Sequence, residues 1–125
     1  MGADGRAHVR LARPTGDLAA AERFWTGGLG LSVLFRKEGL LMVGWPDAGW
    51  HLELVAAGEG IVPAPTPEDL LVVYLGEEVP EELVARCESH GGTRVAAHNP
   101  YWDTWGVTLR DPDGYRLVLS TRDWG

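Results

Sequence analysis

The sequence predicts an α+β fold made of two βαβββ modules, and three observations indicate it. First, the strand-like segment GWHLELV (49–55) is nearly repeated as GYRLVLS (114–120). Second, each copy closes a run of one strand, one helix and three strands, with apolar residues at the spacing typical of each element. Third, a stretch rich in Gly and Pro separates the two runs. A repeat of this kind indicates one supersecondary unit used twice.

The first module is predicted at residues 7–55. It begins with a strand from His8 to Arg13, followed by a helix whose N-cap is Asp17. The GGLG segment ends that helix, because glycine adopts the left-handed cap conformation without steric cost. Trp25 has the spacing of a helical residue that faces the core. Three strands complete the module, in LSVLFRK, LLMVGW and WHLELV.

A linker at 56–69 leads to the second module at 70–121. LLVVYL predicts its first strand, and the helix VPEELVARCESH has Pro80 in its first turn and Cys87 facing inward. TRVAAH, WGVTLR and YRLVLST are the remaining strands. Neither module can cover its own sheet, so we expect a single domain (1–125). The modules should pack side by side into one cup-shaped mixed sheet, whose concave surface is the natural place for a site.

The overall composition narrows the classes of function. A formal charge of −7 disfavours nucleic acid as a partner, since phosphate contacts need clustered Lys and Arg. No apolar run approaches the roughly 20 residues of a membrane helix, so we expect no membrane partner. The single cysteine excludes an intrachain disulfide and predicts a reducing compartment, which we interpret as the cytoplasm.

Several stretches of the chain carry a family resemblance. HVRL and DLAAAERFWTGGLGL stand in the first module, and GVTLRDPDGYRLVLS stands in the second. With these stretches the chain resembles the vicinal oxygen chelate superfamily, which includes glyoxalase I, extradiol dioxygenases, fosfomycin resistance proteins and bleomycin resistance proteins. NPYWDTWGVTLRDPDGY looks like a bacterial subgroup of glyoxalase-like proteins. The resemblance implies the glyoxalase/bleomycin resistance fold and, as a common family habit, a homodimer.

The resemblance also implies where a metal would bind. Metal-dependent members place ligands at four equivalent strand positions, two in each module. His8 and Glu53 stand at the first-module positions, and Glu53 could also act as a catalytic base. In the second module the closing position is Val118, and the opening position is Leu70, or Asp69 if the register slips by one residue. The resemblance therefore implies either no cofactor or a divalent Zn, Ni, Mn or Fe ion on an incomplete set of ligands, with Asp69 as a possible third.

Strand alternation adds candidate ligand-binding residues to His8 and Glu53. It puts Arg10 on the face of His8 and His51 on the face of Glu53. Arg116 shares a face with Val118 in the same way. Such a surface would suit an anionic or polar ligand. The alternatives are a hydrogen-bonded His8–Glu53 pair and arginines that simply reach the solvent.

Two aromatic residues of NPYWD complete the candidate site. Tyr101 and Trp102 could form a wall against a flat or cationic ligand, with packing at the rim of the core as the alternative.

Three functions remain open from the sequence. The first is a small-molecule binding protein similar to bleomycin resistance proteins, favoured because Leu70 and Val118 stand where ligands would be. The second is a metal-dependent lyase, isomerase or thiol transferase resembling glyoxalase or fosfomycin-type enzymes. The third is an interaction module whose cup is vestigial. The ligand is not identified, and whether the protein is an enzyme stays open.

Overall fold

The computed structural model describes residues 2–125. The first module contains β1 (Val9–Thr15), α1 (Leu18–Glu22), a π-helical segment (Arg23–Gly28), β2 (Ser32–Lys37), β3 (Leu40–Gly44) and β4 (Trp50–Ala56). The second module contains β5 (Leu70–Tyr74), α2 (Glu81–Ser89), β6 (Thr93–Val95), α3 (Pro100–Thr104), β7 (Gly106–Arg110) and β8 (Arg116–Ser120). The prediction of an α+β fold with two βαβββ modules is confirmed.

Each module forms its own four-stranded mixed sheet. Sheet 1 has the strand order β1-β4-β3-β2, and sheet 2 has the equivalent order β5-β8-β7-β6. In both, the first and last strands of the module run parallel and the other pairs are antiparallel. We expected one cup-shaped sheet, but among the described residues no strand of one sheet hydrogen-bonds to a strand of the other. The modules meet through helices and core side chains instead.

One hydrophobic core joins the two modules. Leu52 and Leu54 of sheet 1 and Leu117 and Leu119 of sheet 2 belong to the same buried cluster, together with residues of both helical layers. Because strand side chains alternate between faces, the other face of each sheet points away from this shared core. We call these surfaces the open face of sheet 1 and the open face of sheet 2.

Buried side chains of the helical layers connect the modules. Trp25 and Cys87 are fully buried, as their helical spacing predicted. The Trp25 indole Nε1 donates to Oδ2 of Asp111, 3.1 Å away in the other module. The Arg86 guanidinium Nε donates to the Gly28 carbonyl at 3.0 Å. These contacts fix how the two open faces are oriented.

Two helical features were not predicted from the sequence. The chain continues α1 into the π-helical segment, where Leu29 N–H donates to the Phe24 carbonyl five residues back. Helix α3 is only five residues long, and the side chain of Asn99 caps it by accepting the backbone N–H of Tyr101. Across residues 2–125, no helix combines the length and apolar character needed to cross a bilayer.

Candidate functional site

The open face of sheet 1 brings four predicted site residues together. The parallel pairing of β1 with β4 sets Arg10 opposite His51. Leu52 and Leu54 face the core, so alternation turns His51 and Glu53 to the open face. His8, immediately before β1, reaches the same surface, where it contacts His51.

A salt bridge joins the first pair of these residues. Arg10 Nη1 donates to Glu53 Oε1 at 3.0 Å. The two partners differ in environment, because the Glu53 side chain is 6% exposed and that of Arg10 is 55% exposed. The alternative of a His8–Glu53 hydrogen bond is wrong, because the Glu53 carboxylate accepts from Arg10 and His8 contacts His51 instead.

The two histidines form the second pair. His8 Nε2 lies 2.6 Å from His51 Nδ1, so one ring must donate and the other accept. Burial, and then the neighbouring charge of His8, lower the pKa of His51. The other nitrogen of His51, Nε2, is buried and has no hydrogen-bond partner within the described part of the chain. This pair therefore sets the half-buried imidazole of His51, whose pKa is lowered, next to the exposed ring of His8.

The side chains present do not fit a three-ligand metal site within one chain. His8 and Glu53 are each paired with another residue. Asp69 lies in the turn before β5, where it accepts the Thr66 backbone N–H at 2.6 Å, and this hydrogen bond lowers its pKa. The register places Leu70, not Asp69, level with Arg116. No group of three or more His, Cys, Asp or Glu side chains that could hold a metal occurs among residues 2–125.

An apolar cavity of about 240 Å³ lies further along β1 and β4, beyond the Arg10–Glu53 salt bridge. Ala12 and Val55 line it, and the register places Ala12 directly opposite Glu53. Ile61 of the linker lines it as well. The sequence did not predict this cavity, because nothing in the linker's composition shows that it folds back onto the sheet. The isolated Ile61–Val62 pair was the one available signal.

The open face of sheet 2 is covered by the connection between β6 and β7. Val118 and Thr108 pair across β8 and β7 and are essentially inaccessible to solvent, yet neither belongs to the shared core. Arg116 Nη1 donates to the Ala96 carbonyl of this connection at 3.3 Å. Val118 is therefore a buried apolar contact at this position.

The predicted aromatic wall lies on the same side of the molecule as Arg116. Trp102 packs edge-on against Tyr74 of β5, with ring centroids 6.4 Å apart, and Tyr101 packs edge-on against Trp102 at 5.0 Å. Tyr101 stays largely exposed. Trp102, Tyr101 and Arg116 thus gather on sheet 2, whereas His8 and its neighbours gather on sheet 1. Among the described residues, no hydrogen bond, salt bridge or ring contact joins the two groups.

Comparison with known proteins supports a family assignment. Residues 9–55 match the YycE-like N-terminal domain, and residues 68–121 match the YycE-like C-terminal domain. The chain is 38% identical over 120 residues to the uncharacterised protein YycE of Bacillus subtilis, covering 90% of this chain and 86% of YycE. A crystal structure of YycE, a protein of unknown function, superposes with a TM-score of 0.78 at 35% identity, covering 94% of this chain and 91% of that one.

More distant structures share the fold alone. The trypanothione-dependent glyoxalase I of Leishmania major matches with a TM-score of 0.69 at 21% identity, covering 94% of this chain and 88% of that one. TnmS3, an antibiotic binding protein from Streptomyces sp. CB03234, matches with a TM-score of 0.66 at 22% identity, covering 97% of this chain and all of that one. These findings confirm the resemblance proposed from the sequence. The chain belongs to the YycE-like family and has the glyoxalase/bleomycin resistance fold.

Proposed function

We propose that the protein binds a small organic molecule and holds it without transforming it. The observation that carries this proposal is the apolar cavity of about 240 Å³, which follows the Arg10–Glu53 pair along β1 and β4. An apolar pocket with a few polar groups at its edge is the usual form of a small-molecule site. The cavity is smaller than the roughly 300 Å³ of typical ligand pockets, so it accommodates part of a ligand or a compact one.

The polar pairs supply the directional contacts of the proposed site. Arg10 has further N–H donors besides the Nη1 group that binds Glu53, and its guanidinium faces solvent. The exposed His8 ring offers a further polar group at the same edge. A ligand with an apolar body and a carbonyl or carboxylate group satisfies both requirements. That TnmS3 is an antibiotic binding protein of this fold supports the class of function.

A homodimer is part of this proposal. Tyr101, Trp102 and Arg116 lie on sheet 2 and His8 lies on sheet 1, and no contact within the described residues brings the two groups to one ligand. A second copy that sets its sheet 2 against sheet 1 would do so. Leu34 and Phe35 support such an interface, since both are 40% or more exposed on the edge strand β2. Phe35→Asp should convert a dimer to a monomer in sedimentation velocity, and a monomeric parent protein would refute this part.

Cavity filling tests the proposed binding. We expect some compounds in a panel of aromatic and antibiotic-like molecules to raise the melting temperature of the intact protein. Ala12→Leu should remove these shifts because it fills the cavity, and Ala19→Leu, at an exposed position of α1, should keep them. Shifts that survive Ala12→Leu would show that the cavity is not the binding site. A panel with no active compound would favour the interaction module.

A metal-dependent lyase, isomerase or thiol transferase is the second candidate. One observation favours it, namely that Glu53 on β4 and His8, immediately before the adjoining strand β1, reach the same open face. A second copy would have to supply the remaining ligands for a Zn, Ni, Mn or Fe ion. For the cellular location, we propose the cytoplasm, because the one cysteine is a free thiol, as is usual in a reducing compartment.

A further inference from the structure

Two arginines lie side by side on the open face of sheet 2. Arg110, at the end of β7, pairs directly with Arg116, at the start of β8. Their neighbours Leu109 and Leu117 face the core, so both arginines face the opposite way. Residues paired in this manner have Cβ atoms roughly 5 Å apart, and like charges at such positions are destabilising.

Neither arginine forms a salt bridge within the described residues, although the chain carries a formal charge of −7. The nearest carboxylates in sequence are already used. Asp111 is buried on the core side, where it accepts hydrogen bonds from an indole and two backbone N–H groups. Asp113 accepts the backbone N–H of Gly16 from the other module. Two positively charged residues thus occupy paired positions without forming an internal salt bridge.

One arginine of the pair borders a cleft at the end of β7. This cleft of about 380 Å³ is lined by Arg110 and Thr93, which pair across β7 and β6, and by Asp111 and Asp113, whose carboxylates already accept backbone N–H groups. Two residues before Arg110 on the same face, the buried hydroxyl of Thr108 has no hydrogen-bond partner within residues 2–125. Arg116 donates to the Ala96 carbonyl at 3.3 Å, beyond the usual range for such bonds, so it can leave that oxygen at little cost.

We propose that Arg110 and Arg116 bind a phosphate or similar dianionic oxyanion group of the ligand. This inference rests on the proposed function and names the ligand's charged group. Two planar guanidinium groups offer paired N–H donors that match the oxygens of such an anion, in charge-assisted hydrogen bonds. The anion in turn removes the repulsion between the two arginines.

Inorganic phosphate is the probe for the first experiment. Its affinity for the intact protein is measured by titration calorimetry, and its effect on the melting temperature is compared with sodium chloride at matched ionic strength. Arg110→Gln and Arg116→Gln should each weaken phosphate binding about tenfold or more, because each removes charge-assisted hydrogen bonds. Arg94→Gln is the matched control, since it loses the same charge from the opposite face of sheet 2.

Two further variants distinguish hydrogen bonding by the planar guanidinium groups from simple charge attraction and from a loss of folding stability. Arg116→Lys keeps the charge but loses the planar pair of donors, so phosphate should bind several-fold more weakly than to the parent protein. Without phosphate, Arg110→Gln should melt at or above the parent temperature, because it relieves like-charge repulsion. Equal losses in Arg94→Gln and Arg110→Gln, or no effect of phosphate beyond that of chloride, would overturn the proposal.

The outcomes also separate this inference from the proposed function. If organic compounds bind and Ala12→Leu removes their binding, while phosphate does not bind, the arginine site is wrong and the small-molecule function stands. If phosphate binds through both arginines and no organic compound binds, the arginine site stands and the proposed function is wrong.

Discussion

The Arg10–Glu53 salt bridge predicts an unequal cost for removing its two partners. Breaking a buried ion pair by removing one partner costs about 3–5 kcal/mol, and an exposed pair is worth about 0.2–1 kcal/mol. Arg10→Met leaves the Glu53 carboxylate, 6% exposed, without its counter-charge. Water can enter the space that the arginine vacates, so we expect a cost of about 2 kcal/mol in the free energy of unfolding. Glu53→Gln leaves a guanidinium that is already 55% exposed, and should cost under about 1 kcal/mol.

Urea denaturation measures this asymmetry. With a slope of about 2 kcal/mol per molar urea, Arg10→Met should lower the midpoint by about 1 M at an unchanged slope. Arg36→Met is the matched control, because its 2.8 Å salt bridge to Glu22 lies at the surface and should contribute under about 1 kcal/mol. Equal midpoints for Arg10→Met and Arg36→Met would refute the argument that burial of Glu53 decides the result. The same argument fails if Glu53→Gln costs as much stability as Arg10→Met.

Three further predictions concern the His8–His51 pair, the Trp25–Asp111 hydrogen bond between the modules, and Thr108 on the open face of sheet 2. The pKa of His51 is lowered from 6.5, mainly by burial, so acid protonates the unfolded state first. Stability should therefore fall as the pH drops below about 6.5, by less than about 1.4 kcal/mol per pH unit, and His51→Gln should flatten that slope in urea midpoints measured at several pH values. Trp25→Phe removes the donor to buried Asp111 and part of a buried ring, and calorimetric melting should show a loss of at least about 2 kcal/mol. Thr108→Val should be neutral or stabilising, because its hydroxyl has no partner within residues 2–125, and a loss above about 1 kcal/mol in urea midpoints would contradict this.

Local signals in the sequence were enough to predict most of the fold. Asp17 caps α1 as expected, accepting the Ala20 backbone N–H at 3.0 Å. Helix α3 was missed although its start had two signals, Asn99 as a cap and Pro100 in the first turn. Five residues show too little apolar periodicity to be recognised as a helix. The π-helical turn depends on how Trp25 packs between the modules, which no local pattern specifies.

The site was harder to predict because its contacts join distant parts of the chain. Alternation correctly put Arg10 on the face of His8 and His51 on the face of Glu53. The choice of partner depends on the register between two parallel strands some 40 residues apart, which sets Arg10 opposite His51. Likewise, the pairing of Arg110 with Arg116 follows from the register of β7 with β8.

We propose that the open face of sheet 1 binds an organic ligand, whereas the second candidate function requires a metal centre at this face. The most direct measurement is thermal unfolding of the stripped protein with Ni, Zn, Mn or Fe(II) added back, in the parent protein and in His8→Ala. We predict no metal-dependent shift that requires His8. An ion at 100 times its dissociation constant adds about 2.7 kcal/mol of stability. A shift of that size in the parent protein, absent from His8→Ala, would contradict the account and establish a metal centre at this face.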